Sequence, residues 1–156
     1  MSQNSTFQLF HLYELPHLRT SVATLIHNEF WSDVLDASPI LMAERLAMAK
    51  ANNELPLCRI AVVNGEPVGV ANLIDYDDPN PRIGRPWLAG LVVVPEWRGQ
   101  GLGSQLVQAV LDDARRLGET EVFLGTDSPQ FYEELGANRY EQLRTDFWLM
   151  LFKLGF

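Results

Sequence analysis

One glycine-spaced stretch, Arg98-Gly99-Gln100-Gly101-Leu102-Gly103-Ser104, constrains this chain more than any other. It follows the apolar run Leu91-Val92-Val93-Val94-Pro95 and opens a segment of helical periodicity. In that segment Leu102, Leu106, Val110, Ala114 and Leu117 share one face, while Gln105, Asp112, Asp113, Arg115 and Arg116 line the others. A strand, a glycine turn and a helix start, in that order, make an anion site. The first helical N–H groups have no intrahelical acceptor, and the helix dipole adds partial positive charge there. Glycines let main chain approach a phosphate closely, and Arg98 adds a cation that can fork onto phosphate oxygens. The stretch therefore reads as a pyrophosphate cradle, against the plain alternative of a glycine turn without a ligand.

The spacing separates three known cradles. A Walker-type loop needs Gly-Lys-Ser/Thr, and Gly101 is followed by Leu102-Gly103. A dinucleotide fingerprint would use Gly99 and Gly101 but meets Ser104 where glycine or alanine belongs. The third pattern, Arg/Gln-x-x-Gly-x-Gly/Ala, is matched by Arg98, Gly101 and Gly103. With its lead-in at residues 93–99 it resembles the acyl-CoA loop of the GNAT superfamily of N-acetyltransferases. A second segment, Phe131-Tyr132-Glu133-Glu134-Leu135-Gly136, resembles that family's Phe/Leu-Tyr-x-x-Leu-Gly motif.

The resemblance implies acetyl-CoA as cosubstrate and no metal, with Arg98 to Ser104 on the pyrophosphate. It implies a bulged fourth strand whose main chain at Leu91, Val92 and Val93 meets the acetyl carbonyl and the pantetheine amides. Tyr132 would protonate the departing thiolate, the reverse of its ordinary reading as a half-buried core tyrosine. The implied fold is α/β: a mixed, mostly antiparallel sheet of about seven strands flanked by about four helices. Its fourth and fifth strands, here residues 87–94 and 121–125, splay to admit the pantetheine arm. The acceptor pocket would draw on Phe30, Trp31 and Asp75. Trp31 and Trp87 also read as plain core aromatics. Two departures stand out. Ala137 replaces a common aromatic, and the loop Asp127-Ser128-Pro129-Gln130 lacks the usual asparagine, leaving Thr126 or Ser128 for that contact.

The rest of the chain fits one domain, residues 1–156. Residues 7–13 read as a strand. Leu18, Val22, Leu25, Ile26 and Phe30 share a helix face after Pro16. Ser38-Pro39 marks a second helix fading near Asn52-Asn53, with Ile40, Leu41, Leu46 and Met48 as its apolar surface. Asn64-Gly65 joins two strands, at 57–63 and 67–74, as a hairpin. A short helix follows at 129–135, then a hairpin at 139–144 and 147–153. The resemblance covers residues 57–153 closely and the first half more loosely.

Net charge is −8, with no run of Lys or Arg, which argues against nucleic-acid partners and suits an amine substrate. A transferase acting on charged tRNA is disfavoured on the same ground. Cys58, the only cysteine, lies in an apolar strand pattern and reads as core. No apolar run is long enough for a membrane span, so a cytoplasmic protein is expected. The apolar C-terminus, with Phe147, Trp148, Phe152 and Phe156, serves as core or as a homodimer contact.

The general base is the open position. Residues 88–94 carry no ionisable side chain, and the fifth strand ends in Leu124-Gly125. Candidates lie elsewhere: Asp75, Asp77, Asp78, Glu29, His27, or a relaying water. An α-amino group, with pKa about 8, needs less help than a lysine near 10.4. The acceptor, whether a small amine, an antibiotic amine, a protein N-terminus or a lysine, stays open. So does a non-catalytic acyl-CoA sensor or regulatory module.

Overall fold

The computed structural model describes residues 6–32, 38–75 and 84–155. In chain order they form β1 (Gln8–His11), α1 (Arg19–Ile26), α2 (Pro39–Leu46), β2 (Leu57–Val63), β3 (Glu66–Ile74), β4 (Trp87–Val93), α3 (Leu102–Arg116), β5 (Glu121–Thr126), α4 (Pro129–Glu134), β6 (Asn138–Arg144) and β7 (Phe147–Lys153). The strands make one seven-stranded sheet, ordered β1-β2-β3-β4-β5-β7-β6. Every pairing is antiparallel except β4 with β5. Phe156 and residues 1–5 lie outside the described residues.

Alternation along the strands feeds a core on each face of the sheet. Leu57, Ala61, Ala71, Leu73 and Leu88 pack with the apolar stripe of α3. Cys58, Ile60, Val70 and Val92 pack on the other face, with Val22, Ala23 and Ile26 of α1 and Leu46 of α2. Burial pushes the Cys58 thiol far above its ordinary range, as suits a core residue. Phe152 is core, and Trp148 packs against that core. Trp87 is also core, its indole N–H donating to Gly84 O at 2.8 Å.

Local chemistry sets the element ends. Asn64 (φ 51) and Gly65 (φ 81) turn the β2–β3 hairpin in the left-handed region that both residues tolerate. Ser38 caps α2 by accepting from Leu41 N at 3.2 Å. The first strand is shorter than the pattern predicts. Glu14 Oε1 accepts from His11 N at 2.8 Å and draws Leu12–Glu14 into a 3-10 turn.

Four helical expectations are corrected. The α1 face does not continue to Phe30, because His27–Trp31 winds as a π-helix and its wider turn rotates Phe30 and Trp31 off that face. Trp31 is accordingly 38% exposed rather than core. α2 ends at Leu46, and Ile40, Leu41 and Met48 are exposed while only Leu46 of the four is buried. Asp113 is not on a solvent face of α3. It is buried and forked by Arg59 of β2, with Nε–Oδ2 at 2.7 Å and a second guanidinium N–H donating to Oδ1 at 2.8 Å.

Candidate active site

A cleft of about 1070 Å³ runs through the sheet between β4 and β5. Its walls include the start of α3 and Phe131 and Tyr132 of α4 on one face. On the other they include Ile26, Glu29, Phe30 and Trp31, with Met42 and Arg45 of α2. The cleft exists because β4 and β5 touch at only one register position, Trp87 beside Phe123, backed by Phe123 N donating to Pro86 O at 2.9 Å. Beyond Trp87 the facing strand edges separate, and their main-chain groups line the gap.

On one lip, β4 carries a bulge. Val70 pairs with Val92 and Asn72 with Ala89, so Ala71 of β3 stands opposite two residues, Gly90 and Leu91. Gly90 has φ 62, and a Cβ there would lie 2.8 Å from the Asn72 side-chain nitrogen. The left-handed backbone favours glycine, and a side chain there would displace the Asn72 amide. Leu91, Val92 and Val93, at and just after the bulge, line the gap.

At the end of the gap, Gly99 (φ 76) and Gly101 (φ 83) fold the loop into α3, with Gly101 as its N-cap. No atom lies within 4 Å of where either Cβ would be, so the loop surface is open. The amides of Leu102, Gly103 and Ser104 lack intrahelical acceptors, as at any helix start. Arg98 Nε donates to Val93 O at 2.8 Å, and the far end of its guanidinium is 3.6 Å from Glu29 Oε1. Its charge is thus held over the loop with an exposed edge. On the other lip, Tyr132 is buried to 9% exposure yet reaches the cleft wall. Burial first, then the Asp127 carboxylate, push its phenol up to about 12. Thr126 Oγ1 accepts from Ser128 N at 2.8 Å, and both residues line the cleft.

The acetyltransferase (GNAT) family model matches residues 22–137. The chain belongs to the GNAT acetyltransferase family. N-alpha-acetyltransferase 30 of Schizosaccharomyces pombe is 41% identical over 64 residues, 38% of this chain and 43% of that protein. N-acetyltransferase 8B of Homo sapiens is 37% identical over 92 residues, 56% of this chain and 40% of that protein. The chain spans about two-fifths of the length of these relatives. A Salmonella typhimurium protein solved with its cofactor acetyl-CoA superposes with a TM-score of 0.73 at 19% identity, covering 96% of this chain and 94% of that one. An aminoglycoside 6'-N-acetyltransferase complexed with coenzyme A gives 0.71 at 20% identity, covering 95% and 96%. These two likenesses show the GNAT fold.

Within this GNAT chain the cleft gathers Leu91, Val92, Val93, Arg98, Gly99, Gly101, Leu102, Gly103, Ser104, Tyr132, Phe30 and Trp31. Its walls do not include Gln100 or Asp75. Gln100 turns back to donate to Glu96 O at 3.2 Å. Asp75 pairs with Arg85 at the surface. Of the base candidates, Glu29 lines the cleft, and both ring nitrogens of His27 are buried without a partner. Asp77 and Asp78 lie outside the described residues. Sequence reasoning missed Gly90 and Asn72, although a glycine and an amide inside two apolar strands were the available signals. Among the described residues no cluster of His, Cys, Asp and Glu could hold a metal ion, and no helix is long and apolar enough to cross a membrane.

Proposed function

We propose that residues 1–156 form one catalytic domain that transfers the acetyl group of acetyl-CoA to a primary amine by direct attack within a ternary complex. The observation that carries this reading is the gap between β4 and β5, with a glycine-wrapped helix start at its end and a tyrosine on its lip. The donor fits on physical grounds. Free amides at Leu102 to Ser104, the dipole of a 15-residue helix and the Arg98 cation suit a diphosphate. Main chain freed at the β4 bulge suits the thioester carbonyl, and one such preorganised donor is worth about 3 kcal/mol of barrier. The acceptor enters from the α1–α2 side. We assign the cytoplasm on the reducing environment that a lone buried thiol suits.

Tyr132 serves the leaving group. As the acceptor nitrogen bonds to the carbonyl carbon and the carbon–sulfur bond breaks, the phenol donates toward the sulfur; the nitrogen sheds one proton to water, and the released thiolate takes one up from water. A phenol near 12 is fully protonated at neutral pH, so the donor is always loaded. It is also a weaker acid than a thiol near 8.5, so it acts mainly by hydrogen bonding to the developing thiolate. Tyr132→Phe is expected to lower kcat about 100-fold, the low end for acid catalysis, with acetyl-CoA affinity unchanged by calorimetry. Unchanged turnover would remove Tyr132 from the mechanism. Acetyl-CoA binding without CoA release across a broad amine panel would favour a binding module instead.

A further inference from the structure

One polar side chain at the gap has no part in the chemistry above. Along β3, Val70 packs into the α1–α2 core while Ala71 and Leu73 pack into the α3 core. Alternation therefore turns Asn72 to the α1–α2 side. Its amide lies directly over the β4 bulge. A Cβ at Gly90 would meet the Asn72 side-chain nitrogen at 2.8 Å and Ile26 Cδ1 at 3.9 Å. Asn72 is only 8% exposed, and it forms part of the cleft wall. No side-chain hydrogen bond joins its carboxamide to a described residue, and its polar atoms are not among the sealed, partnerless ones, so they open onto the cleft. An amide that opens onto a cleft without a protein partner is free to bond a ligand or water there. Glycine at position 90 supplies the room that the amide occupies.

We propose that the Asn72 carboxamide receives the acceptor nitrogen. Its Oδ1 accepts one N–H of the neutral amine and leaves the lone pair free to face the carbonyl carbon at the bulge. This rests on the acetyl-transfer reading. As the nitrogen–carbon bond forms, positive charge grows on nitrogen. The N–H···O contact then becomes charge-assisted and strengthens in the transition state. The carboxamide does not take the proton, so Asn72 orients the nucleophile without serving as its base. It contacts the acceptor from the face of the sheet opposite α3.

Two variants test this with a panel of primary amines: a peptide with a free α-amino group, a peptide whose only amine is a lysine side chain, and an aminoglycoside. Asn72→Leu keeps the volume and removes the polar atoms. Its kcat/KM for the best acceptor is expected to fall about 10- to 100-fold, with acetyl-CoA affinity by calorimetry within twofold of wild type. Asn72→Asp keeps the accepting oxygen and is expected to retain most of kcat/KM above the pKa of the amine. Wild-type kcat/KM in Asn72→Leu would overturn the proposal, since filling space would then suffice. A parallel loss of acetyl-CoA affinity would also overturn it, by assigning Asn72 to the donor or the fold. Wild-type protein that binds acetyl-CoA yet acetylates none of the amines would instead overturn the acetyl-transfer reading, and this proposal with it.

Discussion

Gly101 joins the turn to α3 in a left-handed conformation, φ 83, with open space where a side chain would begin. The objection to any other residue there is backbone energy, about 1–2 kcal/mol, and not a clash. That energy would be relieved by unwinding the helix start, which is where the amides converge. Gly101→Ala is therefore expected to raise the acetyl-CoA dissociation constant about tenfold, a change of that same size in energy. Its melting temperature should drop by only a few degrees, as a cost near 1 kcal/mol implies for a domain of this length. Calorimetry and a melting curve on one preparation check both. At this scale the sequence was legible where residue type itself carries the constraint. Gly99 and Gly101 could be singled out because few other residues take up their left-handed backbone, and Tyr132 because few side chains offer a neutral proton donor. Asn72 could not, because its meaning comes from a bulge on the neighbouring strand, and no spacing within β3 encodes that.

The order of the elements was readable from periodicity, and their ends less so. β2, β3 and β7 bury most of their length and read as mainly apolar runs, interrupted inside by Arg59 and Asn72. The π turn after α1 was hidden, since Phe30 falls in step with Val22 and Ile26 under α-helical counting. Asp113 was hidden for the opposite reason. A carboxylate on an amphipathic helix reads as a solvent-facing residue until a cation from another element meets it. Here Arg59 of β2 and Arg116 of α3 both donate to it. Burial pulls the Asp113 carboxyl upward, but these hydrogen bonds outweigh it and hold the group below 3.8. Its stabilising contribution is therefore fully present above pH 4 and is lost as pH falls through the lowered value. Asp113→Asn should cost roughly 3 kcal/mol at pH 7, the low end for breaking a buried pair because Arg59 keeps some contact with solvent. The gap to wild type, followed by urea melts, should narrow below pH 3.8 and not above it.

Across the whole molecule, the one parallel contact of the sheet is also its weakest seam. β1 to β4 form one wing and β5 to β7 the other, and among the described residues strand pairing joins them only at Trp87 and Phe123. The mixed, mostly antiparallel topology was expected from the family resemblance. The splay of β4 from β5 was likewise expected from the resemblance alone, since neither strand's own residues reveal how far its neighbour diverges. Anything lodged between the wings plays the part of a keystone in an arch, giving the bordering amides carbonyl or amide partners they otherwise lack. Deuterium exchange should show this directly. The amides of Leu88–Val93 and Leu124–Thr126 that face the gap should exchange fast in unliganded protein and slow markedly with saturating acetyl-CoA, while those bonded to β3 or β7 and the β2–β3 hairpin stay equally protected in both. Equal exchange in the two states would mean that nothing spans the seam.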